Sequence, residues 1–258
     1  MTIPALAITR PTGPPGAPLL VLGASLGTST MLWDTVAPRL RERFRVCTFD
    51  LPGHGVSPAA REPFTVGEIA LAVIDAVDDL GEGRFHYVGI SLSGAVGLEL
   101  MLAAPDRVVS AAIVCSGARL GTPEGWIERS VVVRAQGTSA LVGGAAGRWF
   151  APGSIERNPV VAGRLLHDLS NTDDESYALC TEALALYNVR PLLANITAPV
   201  LAVWGEHDPV VSLEHAEEIA SGVRDGRAVM VADAAHLAPA DQPEAVASAV
   251  LQFFEESR

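Results

Sequence analysis

Phe85-His86-Tyr87-Val88-Gly89-Ile90-Ser91-Leu92-Ser93-Gly94 decides how this chain folds. Its first six residues, bulky apart from Gly89 and apolar apart from His86, read as a buried strand, and the pattern Ala95, Val96, Leu98, Leu100 and Met101 reads as a helix opening after Ser93. Between them a serine occupies a strand-to-helix turn. Such a turn holds its serine in a strained backbone conformation that projects the hydroxyl. It admits only small residues two positions to either side, because strand and helix pass close together. Gly89 and Ser93 meet that demand. The helix N-terminus behind Ser91 adds partial positive charge and free amides, which suit a developing oxyanion. Because the last small residue is Ser93 rather than Gly, the stretch offers two hydroxyls. Ser91 is the expected nucleophile and Ser93 the alternative.

Outward from this turn, short apolar runs alternate with amphipathic helical patterns, the signature of an α/β protein whose mostly parallel, doubly wound sheet is buried on both faces. Strands are expected at residues 19–22, 44–49, 85–90, 108–115, 200–204 and 228–231. One helix begins at Thr65, which has capping-box spacing to Glu68 and leads Ile69, Val73, Val77 and Leu80 along one face. Others begin after Ser93, near Ser212 and near Gln242. The alternation stops at about Ala118 and resumes at about Ile196. The interval holds Trp126, Trp149, Phe150, Tyr177 and Tyr187 at helical spacing with no convincing strand. The expected organisation is therefore a core of residues 1–118 and 196–258 with a helical lid at 119–195. Residues 119–164 carry 6 Arg against 3 acids, although the whole chain has a formal charge of -12.

Composition removes several functions. All 18 basic residues among the 258 are Arg, so there is no Schiff-base lysine, no P-loop lysine and no lysine to hold pyridoxal. Thirty acids oppose attraction to nucleic acid or to anionic lipid. Cys47, Cys115 and Cys180 are widely spaced in apolar surroundings and read as reduced core thiols. The N-terminal apolar residues are interrupted by four prolines and lack a basic leader, and no run is long enough to span a bilayer, so a cytoplasmic protein is expected.

Partners for the serine follow in order. Asp208 stands just past the run ending at Trp204, and His236, 28 residues later, just past the run 228–231. Both are at strand ends. Read singly, Asp208 is a turn former before Pro209 and His236 a loop residue. With the serine turn they make a chain order of Ser, Asp, His in which the imidazole takes and returns a proton while the carboxylate fixes its tautomer. Gly23-Ala24-Ser25-Leu26-Gly27 leaves the first strand where it can supply the Leu26 amide beside that of Leu92 as an oxyanion hole. No phosphate-binding Lys and Ser/Thr follow that loop, and His54, His86 and His207 form no metal pair at helical spacing; no metal or cofactor is expected. His54, in Asp50-Leu51-Pro52-Gly53-His54-Gly55, reads as the organiser of a turn.

On these residues the chain resembles the α/β-hydrolase superfamily over nearly its whole length, through Asp50–Ser57, the turn around Ser91, Gly205–Asp208, and His236 followed by Gln242-Pro243-Glu244. More narrowly it is similar to bacterial 3-oxoadipate enol-lactonases, through Ser25-Leu26-Gly27 and the lid stretches Trp126–Arg129, Val133–Gly137, Arg148–Phe150 and Tyr177–Leu184. The resemblance implies an α/β-hydrolase fold and a small anionic lactone as substrate. It implies substrate contacts from Ser25, Trp126, Arg134, Arg148 and Trp149, the arginines holding the carboxylate and the indoles supplying flat walls and an N–H donor. The same triad also serves carboxylesterases, C–C hydrolases and cofactor-free haloperoxidases. A catalytically silent binding protein of this fold would lack a triad member. Self-association into a homo-oligomer stays open.

Overall fold

The computed structural model describes residues 2–256. Six strands, β1 (Leu19–Gly23), β2 (Arg45–Phe49), β3 (Phe85–Ile90), β4 (Val108–Val114), β5 (Val200–Gly205) and β6 (Gly226–Val231), form one parallel sheet in the order β2-β1-β3-β4-β5-β6. The helices are α1 (Ala37–Leu40), α2 (Val66–Asp79), α3 (Leu92–Ala103), α4 (Pro123–Gln136), α5 (Val142–Trp149), α6 (Ser154–Arg157), α7 (Pro159–Asn171), α8 (Asp174–Leu186), α9 (Leu213–Gly222), α10 (Ala238–Asp241) and α11 (Pro243–Glu256). This is the α/β-hydrolase fold.

Every residue of β1 and β3 is buried, as continuous apolar strands of a covered sheet should be. The expectation of burial on both faces fails at β6. It is an edge strand, begins two residues before the expected position, and leaves residues 227–230 exposed. The Thr65–Glu68 capping box opens α2, whose Ile69, Val73 and Val77 are buried; α2 packs on α3, and α3 on β3 and β4. Helix α3 starts two residues earlier than expected because Ser91 alone completes the turn, at φ 55° and ψ −119°. Helices α4 to α8 all lie between β4 and β5, and no strand interrupts them among the described residues. No helix among these residues is long and apolar enough to cross a membrane.

Candidate active site

Parallel strands send all their C-terminal ends to one edge of a sheet, and residues far apart in sequence meet there when their strands are neighbours. Gly23 of β1 pairs with Gly89 of β3, Ile90 with Val114 of β4, and Gly205 of β5 with Val231 of β6. The loop after β1, the serine turn after β3, and the turns bearing Asp208 and His236 therefore share that edge. The His236 turn is held to its neighbour by hydrogen bonds from the Glu206 amide to the Val231 carbonyl (3.0 Å) and from the His207 amide to the Ala234 carbonyl (2.8 Å).

Here Ser91, His236 and Asp208 form a continuous relay. Ser91 Oγ lies 3.0 Å from His236 Nε2, and His236 Nδ1 lies 2.9 Å from Asp208 Oδ2. The second carboxylate oxygen accepts from the amides of Val210 (2.7 Å) and Val211 (3.1 Å), which fixes the carboxylate plane. The Asp208 side chain is wholly buried, so its bonds to the imidazole and the two amides replace those it would make to water. The strain at Ser91 is held by its amide bonding to the Val114 carbonyl (3.0 Å) and by Ser116 Oγ donating to its carbonyl (2.7 Å). A methyl group at Gly89 would sit 2.1 Å from the Ser93 carbonyl oxygen, which is why this position must be glycine. Ser93, the alternative hydroxyl, is fully buried and donates to the Ala24 carbonyl at 2.6 Å; it has no access to the cavity.

The loop after β1 places Ser25 and Leu26 on the wall that carries Ser91 and His236. Neither the Leu26 amide nor the Leu92 amide has a hydrogen-bond partner among the described residues, so both are free to donate, one condition an oxyanion hole imposes. Gly27 closes the loop at φ +80°, and a side chain there would come within 2.6 Å of Leu169 Cδ1 and 3.3 Å of Tyr177.

Above this wall is a cavity of about 240 Å³ roofed by the helical insertion. Trp126, Arg148 and Trp149 line it. Arg148 is half-buried and has no acidic partner among the described residues; burial and, next, the Arg129 charge lower its pKa. The expectation for Arg134 is corrected. That side chain is exposed on α4, makes a bidentate pair with Glu175 (2.7 and 2.8 Å) and also bonds Glu182, both on α8, and it lies outside the cavity lining. The Trp126 indole likewise offers a wall without a donor, because its N–H already bonds the Leu120 carbonyl (2.6 Å). Arg129 and Tyr177 are among the lining residues to which the sequence assigned no role. Arg129 stacks on Trp126, 4.9 Å from the ring centroid, and Tyr177 is buried with Arg129 beside its hydroxyl. The i, i+3 spacing of Trp126 and Arg129 on one helix was the available signal for the first.

The roof is also stitched to the histidine turn. The His236 and Leu237 amides bond the carbonyls of Arg148 (3.4 Å) and Trp149 (2.9 Å). The buried Asp241 carboxylate accepts from the amides of Ala151 (2.9 Å) and Ala235 (2.8 Å) and from the Ser154 hydroxyl. Nothing local in the sequence marked Asp241 for this.

His54, His86 and His207 lie outside the cavity lining. His86 bonds Ser110 Oγ (2.8 Å) amid Phe44 and Phe254, and His207 is exposed beside Glu206. His54 does organise a turn: Nδ1 donates to the Pro52 carbonyl (2.9 Å) and the ring stacks on Tyr177. Burial lowers its pKa from 6.5 to about 4. The three cysteines are free and buried, and burial raises their thiol pKa values, Cys47 to about 12.

Residues 15–249 match a family profile described as the alpha/beta hydrolase family. The chain is 33% identical over 233 residues to 3-oxoadipate enol-lactonase 2 of Acinetobacter baylyi, covering 90% of this chain and 87% of that one. Among solved structures, the enol-lactonase from Burkholderia xenovorans LB400 superposes with a TM-score of 0.93 at 32% identity, covering 97% of this chain and 96% of that one. A hydrolase from Pseudomonas aeruginosa PA01 superposes with a TM-score of 0.91 at 35% identity, covering 96% and 94%.

Proposed function

This chain belongs to the alpha/beta hydrolase family and is a hydrolase, and from that premise we propose that it opens 3-oxoadipate enol-lactone to 3-oxoadipate, in the cytoplasm, as a step of aromatic catabolism by the β-ketoadipate route. The observation that carries the substrate class is Arg148, a half-buried guanidinium without an acidic partner among the described residues, lining the same cavity as Ser91. An anionic lactone approaching a chain of net charge -12 needs such a local donor, and pairing with a carboxylate would satisfy it. The likeness to two enol-lactonases over most of the chain supports the same reading.

In this reading Ser91 Oγ attacks the lactone carbonyl as His236 Nε2 takes its proton, and Asp208 offsets the imidazolium charge. The Leu26 and Leu92 amides hold the oxyanion. Collapse breaks the ring C–O bond, and the departing enolate takes the proton from His236. The enol then becomes a ketone, which removes the nucleophile that would close the ring again. Water, deprotonated by His236, attacks the acyl-enzyme through a second oxyanion at the same amides, and Ser91 leaves with the proton. Ser25, Trp126 and Trp149 wall the ring, and residues 119–195 act as the lid.

The test is ring opening by the purified protein, followed optically. The enol-lactone is expected to be turned over well ahead of p-nitrophenyl acetate and of peroxide-dependent halogenation. Ser91→Ala is expected to lower kcat by about 10⁴-fold or more. A preference for the neutral ester would replace the lactonase reading with that of a general carboxylesterase.

A further inference from the structure

We propose that Ser93 is the positioning residue of the oxyanion hole, tying the loop that carries Leu26 to the helix that carries Leu92. The inference rests on the reading of Ser91 as nucleophile and of those two amides as its oxyanion donors. The donors belong to different strand exits, Leu26 to the loop after β1 and Leu92 to the first turn of α3, and they must face one point although no backbone segment joins them directly. The Ser93 hydroxyl supplies the link. Its Oγ donates to the Ala24 carbonyl at 2.6 Å, one residue from Leu92 and two from Leu26.

The link is anchored at both ends. Ser93 is fully buried, and its own carbonyl accepts the hydroxyl of the buried Tyr87 of β3 at 2.7 Å, which holds the start of α3 over the sheet. On the other side Ala24 and Ser25 are almost entirely buried, and the Ser25 carbonyl is taken up within the loop by the Thr28 amide (3.0 Å) and hydroxyl (2.8 Å). The turn is therefore internally closed, and Ser93 joins it to the helix. The sheet has made room for this contact: a methyl group on Gly23 would stand 2.6 Å from Ser93 Cβ and 2.7 Å from the Phe49 ring. Glycine at 93, usual in this motif, would leave the Ala24 carbonyl buried without that donor. Ser93 is fully buried and outside the cavity lining, so it acts through the position of an amide and never on the substrate. Oxyanion donors work by standing in place before charge develops, and a small displacement weakens the transition state more than the ground state.

The test compares wild type, Ser93→Ala and Ser93→Gly in kcat and KM on the enol-lactone, in affinity for a boronic acid that forms a tetrahedral adduct on Ser91, and in Tm. Both variants are expected to lose about 10- to 100-fold in kcat and by a similar factor in boronate affinity. KM and affinity for the product dicarboxylate are expected to stay within about 3-fold, a split that a general loss of structure would not produce. Ser93→Gly adds no atom and keeps the variant set informative even where Ser93→Ala folds poorly. Wild-type kcat and boronate affinity in folded Ser93→Gly would overturn the inference, as would equal losses in boronate and product binding. Fluorophosphonate labelling of the wild type separates the two layers. Failure to label Ser91 overturns the nucleophile reading itself, whereas normal labelling of wild type and variants at equal rates overturns only the role of Ser93.

Discussion

The floor and the roof of the cavity are built on different principles. On the floor, Ser91, Asp208, His236 and the Leu26 and Leu92 amides are placed by parallel register, by turns at strand ends and by backbone hydrogen bonds, with almost no exposed surface involved. On the roof, backbone bonds tie only the Arg148–Ala151 end to the histidine turn, and the charged side chains of the helices are placed by the partners that packing brings to them. Arg134 and Arg148 make the contrast plain: both lie in the insertion, yet Arg134 faces two acids of α8 and Arg148 faces the cavity with none among the described residues. In the proposed reading, reaction chemistry is tied to groups placed by the backbone and substrate choice to side chains of the insertion.

Substitutions test that division, the largest effect first. Asp208→Asn keeps a side chain that can still accept the two amides but no longer fixes the imidazole tautomer, and kcat is expected to fall about 10⁴-fold with little change in KM; steady-state kinetics checks it. His54 joins floor to roof, with Pro52 below and Tyr177 above. Its folded pKa of about 4 lies below its ordinary 6.5, so above 6.5 both folded and unfolded chains hold it neutral and it contributes no pH dependence. Between 6.5 and 4 the unfolded chain binds the extra proton, and stability declines as pH falls through that window, by at most about 3 kcal/mol. Denaturant unfolding at several pH values should therefore show a flatter decline in His54→Asn than in wild type. An unchanged slope would mean that the histidine is not held neutral.

Arg148→Ala is expected to lower kcat/KM by about 10- to 100-fold for the anionic lactone and by less than about 3-fold for a neutral ester, the range of a charge-assisted hydrogen bond. Equal losses on both would show a roof residue acting like a floor residue. Arg134→Ala should be the mildest. Its pairs with Glu175 and Glu182 lie at the surface, so a change in stability of no more than about 1 kcal/mol and kinetics within about 2-fold on either substrate are expected. A selective loss on the lactone would return Arg134 to the binding role that its sequence context suggests.

Legible in the sequence alone is the floor: the strand β3 with its serine turn, the chain order of Ser91, Asp208 and His236, and the Ser25-Leu26-Gly27 loop. These features are local, because apolar runs, small residues at a tight turn and residues just past a strand are set by neighbours in the chain, and a parallel sheet carries every such exit to one edge. Tertiary structure alone decided the rest. Which of two hydroxyls two residues apart faces the cavity depends on how α3 lies over β3, and the pairing of Arg134 depends on which acids α8 presents to α4, whereas Arg148 on α5 meets no acid among the described residues. The burial of Asp241 between the roof and the histidine turn depends on the meeting of segments 85 or more residues apart. Charged residues on a helix have several partners within reach, and only the packing of one helix on another selects among them.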